Sequence, residues 1–192
     1  MSTANPDPKI QIILQAAWEG FSAYGFRKTS MDDIARGAGM SRPALYLHFK
    51  NKEAIFRALV EGYYATARAE ITAALQVDGA LSQKLARAFA AHGGETMEAM
   101  MTSAHGMELF EASMSVAGET IEAGEASLRD LYTDWLADEV AQGRLRLSGE
   151  ACDMARLFCA CLKGVKHTSQ SFETYRRGVQ DYAALCAQAL QV

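Results

Sequence analysis

The segment Thr29–Lys52, TSMDDIARGAGMSRPALYLHFKNK, decides the fold of the first third of the chain. Its pattern predicts two short helices joined by a tight turn. Ser30 has the position of an N-cap, and Asp33 follows at the spacing of a capping box. Gly39 is placed to end the first helix, because glycine adopts positive φ without steric cost. With Ser41 capping the second helix, the segment is predicted to be a helix-turn-helix.

The second helix of this motif, about residues 41–49, carries the residues that would contact a binding partner. Pro43 falls in its first turn, where a missing N–H does no harm. Leu45 and Phe49 lie four residues apart and are predicted to point inward. The outward positions would then be Arg42, Ala44, Leu47 and His48, with Tyr46 near the flank of the helix. A short helix with an outward polar face can enter the major groove of DNA.

The segment resembles the DNA-binding signature of the tetracycline-repressor family of bacterial regulators. The matching positions are Thr29-Ser30, Ile34-Ala35, Ala38-Gly39, Ser41, Leu45-Tyr46, His48-Phe49 and Lys52-Glu53. Ala44 departs from the signature, which often has Gly, Ser or Thr there, and so removes a hydroxyl from the reading face. The resemblance implies an all-α chain. It implies a three-helix, homeodomain-like DNA-binding domain over residues 1–52 and a helical effector-binding and dimerisation domain over 53–192. A helix over about 51–76 would bridge the two domains.

DNA contacts are predicted at both ends of the motif. Arg42 would bind guanine O6 and N7, and apolar contacts would come from Pro43, Ala44 and Leu47. Phosphates would be held by Tyr46, His48 and Lys52. Lys28, Thr29 and Ser30 could meet a further phosphate at a helix N-terminus, although Arg27 and Lys28 could equally form an ordinary solvated turn. The full predicted set is Lys28, Thr29, Ser30, Ser41, Arg42, Pro43, Ala44, Tyr46, Leu47, His48 and Lys52.

Charge and composition narrow the class of protein. Apolar residues make up 49% of the chain, enough for a full core, and the net charge is −4. Residues 1–60 hold eight basic and five acidic residues, so a basic head precedes an acidic body. Such a division suits DNA binding through one end. No apolar run reaches membrane-spanning length and no secretory signal is evident, so we expect a cytoplasmic protein without membrane contact.

The rest of the chain has a helical pattern. Proline is absent after Pro43, and no run alternates like a strand. Residues 1–8 read as a flexible arm without the Arg or Lys that a minor-groove arm needs. The predicted helices cover about 8–24, the two of the motif, 51–76, 82–102 with a bend at Gly93-Gly94, short pieces in 103–117, then 119–142, 149–166 and 171–190.

The last two predicted helices favour a homodimer. Both have wider apolar coverage than a one-sided surface helix needs, and the first is rich in small residues. The resemblance implies that this pair forms a four-helix bundle with its two-fold mate, and paired recognition helices suit two half-sites. The alternative is that both apolar faces are internal core.

The middle of the chain is the predicted place of a small-molecule effector. Five methionines between 97 and 114 suit an adaptable pocket, although they equally suit an ordinary core. The predicted lining is Phe89, His92, Met97, Met101, His105, Phe110, Met114, Tyr132 and Trp135. Glu108 and Glu111 are expected on the surface. Two histidines without Cys or carboxylate partners, and four cysteines without zinc spacing, predict no metal and no cofactor.

These patterns predict a dimeric transcriptional repressor released from a palindromic operator by a small molecule. One alternative is a helical module whose helix-turn-helix binds protein, which predicts no salt-dependent DNA affinity. Another is an all-helical enzyme. The chain has no Ser-His-Asp order, nucleophile elbow, phosphate loop or His-Glu-x-x-His run, so we expect no enzymatic activity.

Overall fold

All regular secondary structure in the described part of the chain is α-helical, as predicted. The computed structural model describes residues 7–190, apart from the side chains at 95 and 96. Over these residues the helices are α1 (Pro8–Tyr24), α2 (Met31–Gly37), α3 (Arg42–Tyr46), α4 (Lys52–Gln76), α5 (Leu81–Thr102), α6 (Gly106–Val116), α7 (Gly118–Ala141), α8 (Ala151–Thr168) and α9 (Phe172–Leu190). The predicted arm at 1–8 lies largely outside the described residues.

The helix boundaries follow local signals in the sequence. Asp7 caps α1, accepting a hydrogen bond of 3.0 Å from the backbone N–H of Lys9. Gly25 ends α1 with φ of 86°, a conformation that side-chain-bearing residues rarely adopt. Asn51 caps α4 through a 2.8 Å bond from the N–H of Ala54 to its side-chain oxygen. These three positions confirm the predicted bounds of α1 and α4.

α5 contains the predicted bend. Gly94 has φ of 62° and ψ of 177°, which interrupts the helical backbone. The neighbouring Gly93 is buried, and the hydroxyl of Tyr175 occupies the space that a Cβ would need. The glycine pair is therefore required both for the backbone path and for close packing.

The chain divides into two compact units that do not follow the predicted boundary at 52/53. The first unit contains the described residues up to Gly62 together with Thr102–Ile121. The second contains Tyr63–Met101 and Glu122 onward. α4 contributes residues to both units, in keeping with its predicted bridging position, but α6 belongs to the first.

An aromatic cluster forms the centre of the first unit. The rings of Phe21, Phe26 and Phe56 lie 5.1–5.6 Å apart in tilted and edge-on contacts. Such pairs contribute about 0.5–1.5 kcal/mol each beyond their burial. Leu109 and Ala112 of α6 are buried in the same core. The helix-turn-helix thus shares its core with a helix that begins 54 residues after Lys52 in sequence.

The second unit has its own core from parts of α4 and α5 and from α7, α8 and α9. Phe89 and Phe158 are fully buried, and their ring centroids lie 5.0 Å apart. Tyr182 stacks on Phe89 at 5.2 Å. Cys159 and Cys186 are buried in this unit, as the sequence predicts, whereas Cys152 is exposed.

Two structural features are absent from residues 7–190. Within this range no helix combines the length and apolarity needed to cross a membrane. The same residues contain no group of three or more His, Cys, Asp or Glu side chains able to hold a metal ion.

Candidate functional site

The first helix of the helix-turn-helix is fixed by the predicted capping box. The N–H of Asp33 donates to Ser30 Oγ at 3.2 Å, and the N–H of Ser30 donates to Asp33 Oδ2 at 3.0 Å. Hydrogen bonding from Ser30, with Arg36 adding to it, lowers the pKa of Asp33. Gly39 takes φ of 65° in the turn. Ser30 is therefore committed to the cap through its hydroxyl, although it remains exposed.

The recognition helix α3 is shorter than the predicted 41–49. Its regular part ends at Tyr46, but the N–H groups of His48 and Phe49 still donate to the carbonyl of Leu45 at 3.0 Å. Leu45 is fully buried, whereas Leu47 is 86% exposed. The other predicted reading residues are either exposed (Ser41, Arg42, Pro43, Tyr46) or half-buried (Ala44, His48). The structure thus brings the predicted reading residues together on one exposed helix.

Arg42 is held in place on this surface. Its Nη1 lies 2.9 Å from Asp32 Oδ2, and its Nη2 lies 3.4 Å from the hydroxyl of Tyr46. The guanidinium also stands over the Tyr46 ring, 5.5 Å from the centroid. Asp32 was not predicted to act at this site. The two residues lie ten positions apart across a turn, where no helical spacing rule applies.

Thr29 is not available for the phosphate contact predicted from the sequence. Its side chain is buried, with 2% of the residue exposed. Its hydroxyl lies 2.8 Å from the carbonyl of Gly25 and 3.0 Å from that of Gly20. Thr29 therefore ties the loop before α2 to the end of α1, because a buried hydroxyl must find its partner within the fold.

Lys52 also differs from its predicted side-chain role. Its ammonium donates to the carbonyls of Phe26 at 2.7 Å, Thr29 at 3.0 Å and Arg27 at 3.1 Å. It also stands 4.7 Å from the centroid of the Phe26 ring. An ammonium has three N–H donors, and three carbonyls here account for them. The side chain therefore closes the loop 25–29 and does not present a free ammonium to phosphate.

A carboxylate from α6 holds the same loop from another element. Glu108 Oε1 accepts the backbone N–H of Arg27 at 2.8 Å. Its other oxygen lies against Gly25, where a Cβ would clash, and 3.6 Å from His105 Nδ1. The Glu108 side chain is 26% exposed, so the expected surface position is wrong for this residue. Glu111 is exposed, as expected, and lies 3.9 Å from the Arg27 guanidinium.

The loop consequently has an ordered backbone and exposed basic side chains. Arg27 and Lys28 are exposed, whereas the backbone around them is bonded to Lys52, Glu108 and Thr29. Lys28 therefore retains its predicted availability for phosphate. Sequence patterns could not identify the partners, because Arg27 and Glu108 are 81 residues apart.

Comparison with known proteins bears on this unit directly. Residues 13–59 match the family described as bacterial regulatory proteins, tetR family. The match includes the helix-turn-helix and the start of α4, and the rest of the chain lies outside it. The uncharacterized HTH-type transcriptional regulator YdgC of Bacillus subtilis is 34% identical over 70 residues. That match covers 36% of this chain and 35% of YdgC, so the likeness concerns only about a third of either protein.

Solved structures extend the likeness to the whole fold. SmeT, the repressor of the Stenotrophomonas maltophilia multidrug efflux pump SmeDEF, is 22% identical. The match covers 95% of this chain and 90% of SmeT, with a TM-score of 0.70. A complex of SmeT with triclosan matches at 21% identity, covering 94% and 91% of the two chains with a TM-score of 0.68. At these identities the likeness establishes only that the chain shares its fold with SmeT.

The predicted effector-lining residues are divided between the two units. His105, Phe110 and Met114 lie in the first unit, and Met114 is exposed. Phe89, His92, Met97, Met101, Tyr132 and Trp135 lie in the second. The methionine run on which the predicted pocket rests therefore spans the boundary between the units, because the chain leaves the second unit after Met101.

The rings of His92, Tyr132 and Phe89 pack in sequence against one another in the second unit. The ring of His92 stacks on Tyr132 at 6.0 Å, and Tyr132 meets Phe89 edge-on at 6.0 Å. Tyr63 donates its hydroxyl to the carbonyl of His92 at 2.5 Å. Among the described residues, the buried Nδ1 of His92 has no hydrogen-bond partner. The structure thus brings three predicted lining residues together around an unsatisfied imidazole nitrogen.

Burial controls the protonation of this histidine. It lowers the pKa of His92 from 6.5 to about 4, with Glu125 opposing the shift and Lys166 reinforcing it. His92 is therefore neutral near pH 7, when its ring can offer one N–H and one acceptor nitrogen. Burial also raises the pKa of Tyr63 and Tyr132, so both hydroxyls remain donors.

Trp135 lies elsewhere in the second unit, in an open groove of about 610 Å³. The groove is lined mostly by polar side chains of both charge signs from α4, α5 and α7, including Arg68, Lys84 and Asp138. The buried indole N–H of Trp135 has no partner among the described residues. The residues that line this groove do not include His92, Tyr132 or Phe89.

Proposed function

We propose that the chain is a DNA-binding transcriptional regulator that reads its operator with α3. The observation that carries this proposal is the exposed group of Arg42, Tyr46 and Leu47 on a capped helix within a tetR-family domain. Buried Leu45 anchors that helix, so the reading side chains project from a fixed backbone. This function would place the protein in the cytoplasm, where bacterial DNA lies.

We propose further that the regulator binds as a homodimer through α8 and α9. Leu157 and Leu185 are 51% and 63% exposed on these helices. Leucine side chains packed in an internal core would be far less exposed. The Tyr182 hydroxyl lies 3.4 Å from the carbonyl of Leu157, so the two leucines occupy neighbouring turns of the packed pair. Exposed Ala160 and Gly164 on α8 would allow close approach by a second copy. Two recognition helices would then meet two half-sites of a palindrome.

A small-molecule effector completes the proposal. SmeT is a repressor and has been observed with triclosan, which supports repression relieved by a ligand in a protein of the same fold. In this chain the cluster of His92, Tyr132 and Phe89 is the best supported place for ligand contact. The buried Nδ1 of His92 is costly to leave without a hydrogen bond, and a ligand could supply that bond. The relatives are transcriptional regulators, and the proposed function includes no catalytic step and no cofactor.

The test is selection from a library of random duplex DNA at near-physiological salt, followed by sequencing. We expect one two-fold symmetric site whose affinity falls as salt rises. Arg42→Ala should lose preference at one base pair in each half-site, on the order of 10- to 100-fold in relative affinity. Lys28→Ala should instead weaken specific and random DNA alike. Recovery of no common sequence, with salt-independent binding, would favour the protein-interaction module.

A further inference from the structure

Asp32 and Arg42 form a pair across the turn of the helix-turn-helix. The Asp32 carboxylate accepts a hydrogen bond of 2.9 Å from Nη1 of Arg42. Tyr46 contacts the same guanidinium from the other side, through its hydroxyl at 3.4 Å and its ring at 5.5 Å. The principal candidate for base reading is therefore held between α2 and its own helix before DNA arrives.

The capping of α2 does not explain the position of Asp32. That function belongs to Asp33, which completes the capping box with Ser30 and pairs with Arg36. Asp32 is more than half exposed beside the reading helix. A carboxylate there is repelled by phosphate, which opposes binding to every DNA sequence equally. A residue that weakens general binding at this place needs a compensating role.

The geometry of the Arg42 guanidinium suggests what this role of Asp32 is. It carries five N–H donors in a planar fork, and a bidentate contact with guanine O6 and N7 uses only two of them. Asp32 can therefore continue to accept a hydrogen bond from one N–H of Arg42 while the remaining N–H donors of Arg42 face the base. An unrestrained Arg42 would lose more side-chain freedom on binding and could turn toward phosphate, which carries no sequence information.

We propose that Asp32 is a specificity-determining positioning residue: it orients Arg42 toward a guanine and, by its charge, weakens binding to random DNA. This inference rests on the proposed sequence-specific DNA binding. It assigns to Asp32 an effect on the ratio of specific to random affinity, not on the fold.

The test compares the full-length wild type with Asp32→Ala, Asp32→Asn and Asp32→Glu. Each is subjected to the library selection, and affinities for the recovered site and a scrambled duplex are measured at two salt concentrations. Asp32→Ala and Asp32→Asn should bind scrambled DNA roughly two- to tenfold more tightly, because a charge that repels phosphate is lost. Preference at the base pair read by Arg42 should decline in Asp32→Ala, and Asp32→Glu should restore part of it.

Asp33→Asn is the matched control, because it removes a carboxylate from the same helix without touching Arg42. It should lower the melting temperature but leave the relative base preferences unchanged. An unchanged preference in Asp32→Ala, with a site recovered by the wild type, would overturn the inference alone. Failure of the wild type to recover any site would overturn the proposed function and this inference with it.

Discussion

At the scale of single residues, Lys52 gives the clearest test of structural against DNA-contacting roles. Lys52→Ala removes the donor shared by three loop carbonyls. Hydrogen bonds to charged groups contribute about 1.5–3 kcal/mol, so we expect the free energy of unfolding to fall by roughly 1–3 kcal/mol. Urea denaturation measures this, with the exposed Lys50→Ala as control. If Lys52→Ala keeps the wild-type urea midpoint but binds DNA more weakly, the result would support the phosphate contact predicted from the sequence.

His92 predicts a dependence of stability on pH. Its pKa is about 4 in the fold and near 6.5 in the unfolded chain, so the unfolded state binds more protons between these values. The stability that neutral His92 contributes is present above pH 6.5 and is lost as pH falls toward 4, by about 3 kcal/mol in all. The charges of Glu125 and Lys166 act on the pKa of His92 in opposite directions, Glu125 raising it and Lys166 lowering it.

The measurement is the free energy of unfolding at intervals from pH 7 to pH 4. His92→Gln should flatten the loss over this range, whereas the exposed His167→Gln should leave it as in the wild type. Equal slopes in wild type and His92→Gln would show that other groups carry the acid dependence.

Single residues also show where sequence reasoning succeeds and where it stops. The caps Ser30 and Ser41 and the turn glycine Gly39 could be predicted, because each acts on backbone groups within four residues. Thr29 and Lys52 were taken for phosphate contacts because their position in the motif suits that role. Their actual partners are set by packing between elements, which local patterns do not encode.

At the scale of elements, α6 is tied to the loop before α2 through Glu108. Glu108→Ala should lower affinity for DNA, because the N–H of Arg27 loses its acceptor and the adjacent Lys28 loses a fixed backbone. The free energy of unfolding should fall by about 1–2 kcal/mol. Glu108→Gln retains an oxygen acceptor and should recover much of the affinity.

Hydrogen exchange at the amide of Arg27 separates a local effect from general unfolding. We expect faster exchange at this amide in Glu108→Ala, with little change in the core of the second unit. The exposed Glu111→Ala is the control and should show neither effect. Unchanged exchange at Arg27 would contradict the assigned anchoring role.

The helices themselves could be located closely from the sequence, but the assignment of α6 could not. Periodicity and glycine breaks predicted helical pieces in 103–117, and the structure has α6 at Gly106–Val116. Nothing in that segment indicates that Leu109 and Ala112 are buried with the helix-turn-helix, because their partners lie far earlier in the chain. The methionine pattern consequently suggested one pocket where the chain has two units.

At the scale of the whole molecule, the all-α class was predictable because no strand pattern competes with the helical one. The division into units was not, since the chain enters the first unit twice and α4 serves both. The charge difference between head and body was visible from composition alone. It is consistent with the proposed use of the first unit for DNA, whereas the exposed leucines of α8 and α9 concern assembly.

The proposed dimer predicts that DNA binding depends on residues far from α3 in sequence. Leu157→Arg combined with Leu185→Arg places like charges on both copies of the same self-complementary surface, because a two-fold interface repeats each residue. We expect the dissociation constant of the dimer to rise on the order of 100-fold or more, since a buried unpaired charge is strongly disfavoured. Sedimentation measures the mass, and binding to the selected site measures the consequence.

Val140→Arg on α7 is the matched control, because it adds the same charge at an exposed apolar position of the same unit. It should remain dimeric, whereas the double variant should be a folded monomer by circular dichroism. That monomer should lose affinity for the palindrome but retain its affinity for a single half-site, because its α3 is unchanged. A double variant that stays dimeric would place the interface elsewhere, and a monomer with wild-type affinity for the palindrome would separate DNA reading from dimerisation.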